Sequence, residues 1–175
     1  MRTHEDLLVQ YAAYHRDRRN VATHCVGVPL IVFAVGVLLA RPGFDLAGLP
    51  LSPAWCAWTL ATLWWLSRGD VALGLATSAS AGLLVWLGQP ASVLGTGAWL
   101  AVGIGSFALG WLIQFVGHAW EGRKPAFVDD LVGLLVGPMF VTAEALFALG
   151  WNARLHEAIR QRDAQARTLE ATHRA

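Results

Sequence analysis

The chain has 175 residues, 55% hydrophobic and 14% charged, with nine tryptophans and a formal net charge of +1. Soluble domains carry about 25% charged residues, yet the fifty residues from Val71 to Trp120 contain no Asp, Glu, Lys or Arg. A small soluble domain is excluded, because its surface helices need a polar face, and the near-neutral charge gives no footprint for nucleic acid.

The composition predicts one integral membrane domain over residues 1–175, an all-α polytopic helical bundle. Residues 3–18 read as an interfacial amphipathic helix. Thr3 is placed to cap it, Glu5 and Asp6 suit the positive end of its dipole, and Leu7, Leu8 and Tyr11 share a face. Arg16, Arg18 and Arg19 form its basic edge. Asn20 is placed to cap a first span over about 21–40, with Gly27 and Pro29 kinking or loosening its first turn. Residues 41–53 are a Pro/Gly-rich loop.

A short, tryptophan-rich span comes next at 53–66, then a polar turn at 67–70. A third span at 71–87 is rich in small residues that permit close helix approach. The fourth runs over about 95–117. Residues 118–130 are polar, with Asp129 and Asp130 placed to cap the next helix. That fifth apolar helix, over 131–149, is interrupted at Gly137-Pro138, which predicts a broken or re-entrant segment. A polar helix over 151–173 ends the chain. Cys25 and Cys56 read as buried structural thiols, and His156 as a surface residue.

Arg16, Arg18 and Arg19 place the N-terminus in the cytosol by the positive-inside tendency. Four full spans return the chain to that face at 118–130, where Arg123 and Lys124 agree. His15, His24 and His118 should therefore share one face. In a continuous helix, His15 and His24 would lie on opposite sides, so they can share a metal only if the helix breaks between them, and a cap at Asn20 would supply the break. Trp111, Gln114, His118 and Glu121 form one stripe on the fourth helix. Such a stripe is costly in a membrane unless it faces protein, water or a ligand. Three histidines with a nearby carboxylate suit iron, zinc or copper; the bland reading has the same groups satisfying helix ends. Arg123 and Lys124 suit a fatty carboxylate or lipid phosphates. Glu144 suits either an acid that orients a histidine or a neutral, hydrogen-bonded group.

Tyr14-His15, Asn20, His24, Gly27 and Pro29, together with Gln114, Gly117-His118, Glu121 and Pro125-Ala126, resemble a known family. It is that of the small multi-pass 2-hydroxy fatty acid dioxygenases, related to the fungal endoplasmic-reticulum enzyme of phytosphingosine breakdown. The resemblance runs from about residue 5 to 150. It implies an Fe(II)-dependent α-oxidation that shortens a long-chain 2-hydroxy fatty acid by one carbon with O2 and no organic co-substrate. Carried onto this chain, His15, His24 and His118 would be the iron ligands. Glu121 would be a fourth ligand or a partner of one, and Tyr14, Asn20 and Gln114 would lie nearby as hydrogen-bonding or substrate groups. The acyl tail would lie among the apolar helices. The protein would sit in a bacterial inner membrane or the endoplasmic reticulum, its metal near the cytosolic face. The Ala/Gly-rich spans and the arginine-rich tail after Gly150 depart from the fungal type. Two other readings stand beside it: a non-catalytic lipid-binding or scaffold protein, and a zinc-dependent membrane hydrolase using the same histidines.

Overall fold

The computed structural model describes residues 2–122 and 132–172. Among them lie seven α-helices: α1 (His4–Ala12), α2 (Arg18–Leu38), α3 (Pro53–Leu66), α4 (Val71–Gly88), α5 (Thr96–Glu121), α6 (Gly133–Ala148) and α7 (Ala153–Thr172). Strands β1 (Phe44–Leu46) and β2 (Leu49–Leu51) form a small antiparallel hairpin between α2 and α3, where a plain loop is expected. A 3₁₀ turn, Gln89–Val93, succeeds α4.

Helices α2 to α5 run alternately between two ends of the molecule. At one end, the Arg68 carbonyl between α3 and α4 accepts from the His4 amide of α1 at 3.0 Å. At the other end, Ser52 donates to Gln89 at 2.9 Å and Arg41 reaches the Ser92 carbonyl at 2.7 Å. Among the described residues, three helices are long and apolar enough to cross a membrane: α2, α4 with its 3₁₀ extension, and α5. Helices α6 and α7, bent by 118° to one another, count as a fourth if taken together. Helix α3 falls short on its own, since fourteen residues rise about 21 Å against a hydrocarbon core of about 30 Å.

The local signals explain where the helices begin. Thr3 caps α1 through a capping box, its hydroxyl accepting from the Asp6 amide while Asp6 accepts from the Thr3 amide. Asp17, not Asn20, caps α2, accepting from the Arg19 amide at 2.8 Å. The break therefore falls at residues 13–17 and Asn20 lies inside the helix, fully buried. An aspartate capping at residue 17 combines a side-chain acceptor with a negative charge at the helix N-terminus, which outweighs a neutral Asn three residues later. Helix α2 continues through Gly27 and Pro29, and α6 through Gly137 and Pro138; the chain bends after Ala148 instead. Both cysteines are exposed on outer helix faces, not buried. Outward apolar side chains are compatible with a bundle whose helices face lipid. The expected cap at Asp129 and Asp130 lies outside the described residues.

The longest contact is the antiparallel seam between α2 and α5. Gly103, Gly110 and Gly117 recur every seven residues on α5, and all three are buried. Gly103 lies against Val37 and Leu38, Gly110 against Gly27 and Ile31, and Gly117 against Asn20 and Thr23. A methyl group built on Gly110 would stand 2.7 Å from Ile31 Cγ1 and 2.9 Å from the Gly27 carbonyl oxygen. The backbone cannot retreat from that contact without opening the seam. Gly110→Ala should therefore destabilise the purified protein by about 1–3 kcal/mol, read as a lowered thermal midpoint in detergent. Gly105→Ala, at a glycine that faces open space, should leave the midpoint unchanged or raise it.

Candidate metal centre

The α2–α5 seam brings His24 and His118 to one end of the bundle, and the break at residues 13–17 turns His15 back onto them. The three imidazoles are buried, and one ligand atom from each lies within 4.8 Å of the others. The ring centroids of His15 and His118 are 5.1 Å apart, and those of His24 and His118 are 5.0 Å apart. Tyr11 stacks on His15 with centroids at 4.2 Å and planes within 9°, and Phe140 of α6 closes the group at 5.5 Å from His15.

Hydrogen bonds fix two of the tautomers. His15 Nδ1 lies 2.7 Å from the Tyr11 carbonyl and His24 Nδ1 lies 2.9 Å from the Asn20 carbonyl, each four residues back along the chain. A carbonyl only accepts, so both Nδ1 atoms carry the proton and donate. In the neutral imidazoles the two Nε2 atoms are then bare lone pairs, and they face each other at 3.0 Å. Two lone pairs at that distance repel unless a cation draws them together. With metal–nitrogen bonds of about 2.1 Å, nitrogens at right angles around an ion stand about 3.0 Å apart. The donor set thus fits a metal ion. Burial, reinforced by the neighbouring His24, pushes the His15 pKa down to about 3, so this imidazole stays neutral and ready to coordinate at ordinary pH.

Glu121 is not among the converging ligand atoms. Its Oε2 accepts from the Asp17 amide at 2.7 Å and from Asn20 Nδ2 at 3.2 Å. The carboxylate therefore fastens the start of α2 to the end of α5, and its charge suits the positive end of α2. Asn20 also donates to the Tyr14 carbonyl at 3.4 Å. Tyr14 enters the framework through that backbone oxygen, while its side chain lines a separate small cavity with Gln10 and Val136. Gln114 is 6% exposed and lines a cavity with His24, His118, Tyr11 and Trp111. Arg123, Lys124, Pro125 and Ala126 lie outside the described residues.

Glu144 does not join the histidines' hydrogen bonds. It lines a polar cavity of about 590 Å³ on the His15 side, with Arg16, His156, Arg160 and Asp163. His156 is half-buried, not a surface residue, and stacks on Phe147 with centroids at 4.6 Å. The wall contributed by α7 is anchored by an Arg16–Asp163 ion pair at 3.0 Å, largely screened from solvent, and by Arg162 bridging Glu5 at 3.1 Å and Asp6 at 3.3 Å. Two contributors were legible only as apolar positions: Tyr11 and Phe140. The four-residue spacing of Tyr11 to His15, repeated in Asn20 to His24 and Gln114 to His118, is the signal that could have found the first.

A family model described as 2-hydroxy-palmitic acid dioxygenase Mpo1-like matches residues 1–149. The chain is also 34% identical over 148 residues to the 2-hydroxy-palmitic acid dioxygenase MPO1 of Saccharomyces cerevisiae, a match covering 83% of this chain and 80% of the relative. No solved structure matches. A family match across most of the length, with the converging histidines inside it, establishes that this chain belongs to the Mpo1-like 2-hydroxy-palmitic acid dioxygenase family.

Proposed function

We propose that the protein is a non-haem Fe(II) dioxygenase that converts a long-chain 2-hydroxy fatty acid and O2 to the fatty acid one carbon shorter. The balance closes with carbon dioxide and water as co-products, so no organic co-substrate is needed. The observation that carries this reading is the pair of bare Nε2 atoms facing each other at 3.0 Å, with His118 beside them, inside a family of dioxygenases. Right-angle spacing suits iron with open positions better than tetrahedral zinc.

His15, His24 and His118 would hold the ion. When bound, iron supplies the O2 chemistry and holds both reactants in one place. Tyr11 shields one face of His15 and keeps water from it. Glu121 and Asn20 hold the ends of α2 and α5 together, acting through the helices and not on the ion. The Gln114 amide donates to the hydroxyl or carboxylate end of the substrate, because it lies in the cavity beside His24 and His118.

Iron loaded anaerobically, then exposed to O2 and 2-hydroxypalmitate, should give equal amounts of pentadecanoate and carbon dioxide. His118→Ala should abolish bound iron while the protein keeps its helical circular-dichroism spectrum. Stoichiometric zinc with no oxygen uptake would instead support a hydrolase, and a protein that binds no metal would support a scaffold. Gln114→Leu should raise KM for 2-hydroxypalmitate about tenfold, the order expected when a hydrogen bond to substrate is lost, with iron content unchanged. A rise in KM accompanied by loss of iron would show that Gln114 supports the metal instead.

Four crossings, α2 to α5, accord with their alternation between the two ends, with α3 spanning by local thinning or with the help of the hairpin. Helix α7 packs on α1 through Arg162, Glu5 and Asp6, so both termini would share a face whatever the count. Arg16, Arg18 and Arg19 make it the cytosolic one, with the metal centre near it. An impermeant thiol reagent applied outside intact cells should label a cysteine introduced at Ala47 in the hairpin. It should not label one introduced at Ala153. The reverse pattern would invert the topology.

A further inference from the structure

We propose that an apolar tunnel, open along part of its length where Ala57 is exposed, leads from the candidate metal centre and holds the substrate's acyl chain, and that α3 sets the chain length accepted. The proposal rests on the dioxygenase reading for the identity of the chain's head. The small cavity beside His24, His118 and Gln114 shares five lining residues with a larger one: Ile31, Val32, Trp111, Leu134 and Pro138. The larger space, of about 330 Å³, is bounded almost wholly by aliphatic and aromatic side chains of α2 to α6. One end is therefore polar and metal-binding, and the rest offers nothing to a polar ligand.

Its depth can be read from two helices independently. On α2 the lining runs from His24 to Val35, and on the antiparallel α5 from His118 to Phe107. Each stretch spans eleven residue steps, about 16 Å along a helix axis. One leaflet of a bilayer core is about 15 Å thick, so the tunnel matches the reach of a membrane acyl chain. An unbranched acyl chain with a polar head fits both ends of this space.

Helix α3 runs along this tunnel from its far end towards the metal. Its first turn hydrogen-bonds Leu39 at the end of α2, and Trp65 near its last turn donates to the Leu135 carbonyl beside the Tyr11 cluster. Ala57 and Ala61 face the space between, one turn apart, with Ala61 about 6 Å nearer the metal. Their small side chains leave the room that a long tail would fill.

Ala61→Phe and Ala57→Phe test this at two depths, and Ala57, which is exposed, is the substitution less prone to disturb folding. The ratio of kcat/KM for 2-hydroxydecanoate over 2-hydroxypalmitate should rise about tenfold in Ala61→Phe, the discrimination a few methylenes give in an apolar pocket, and by less in Ala57→Phe. Binding is measured separately by quenching of tryptophan fluorescence with brominated palmitate, since Trp58, Trp65 and Trp111 line the tunnel. Quenching should be saturable, relieved by palmitate, and weakened in Ala61→Phe. An unchanged ratio in both variants with iron content intact overturns the tunnel, as does quenching that never saturates. Saturable quenching in a wild-type protein that turns over no 2-hydroxy acid keeps the tunnel and overturns the dioxygenase reading instead.

Discussion

The close approach of α2 and α5 is the constraint on which the rest depends. Glycine at 103, 110 and 117 lets two antiparallel backbones meet along most of their length. For helices in lipid there is little hydrophobic drive to associate, and close packing of this kind is what supplies it. The seam ends where Gly117 lies beneath Asn20 and Thr23, one residue from His118 and one turn from His24. Two of the three clustered histidines are thus placed by the same contact that stabilises the bundle. The Glu121 carboxylate then closes that end by gripping Asp17 and Asn20.

The histidine cluster has two different sides. Towards α5 and α6 lies an apolar space entered past Gln114 and Trp111; towards α7 lies a polar cavity with Arg16, Glu144, His156 and Asp163. The histidines form the partition between them. Such a partition suits chemistry on the polar end of a lipid, where the head needs charge and hydrogen bonds while the tail needs neither. The atoms that orient His15 and His24 are backbone carbonyls, and Glu144 lies on the other side of the partition.

Much of this was legible in the sequence because membrane helices leave a strong signal. The charge-free run from Val71 to Trp120 and the Gly/Pro punctuation bracket the helices, and the three histidines that the fold brings together were already conspicuous. Geometry decided what periodicity could not. The helix break belongs to Asp17, because a carboxylate at a helix N-terminus wins over an amide nearby. Asn20 then became a strut inside the helix. Glu121 was visible on the stripe of α5, but its role as a tie to α2 depends on residues about a hundred positions away. Tyr11 read as an apolar position on an amphipathic face, and only the fold turns that face against His15. The hairpin at Phe44–Leu51 was hidden by its Pro/Gly content, and the outward cysteines by an expectation carried over from water-soluble cores.

His15 differs from its two partners in what carries it. His24 and His118 belong to helices zipped along a glycine seam, whereas His15 sits on a short non-helical link. Arg16 next to it is held by Asp163 of α7, a helix that begins beyond the last residue of the family match. Force or local melting that peels α7 away would pull on that link first and leave the seam intact. The cluster would then come apart one histidine at a time, passing through a two-histidine state before the bundle itself gives way.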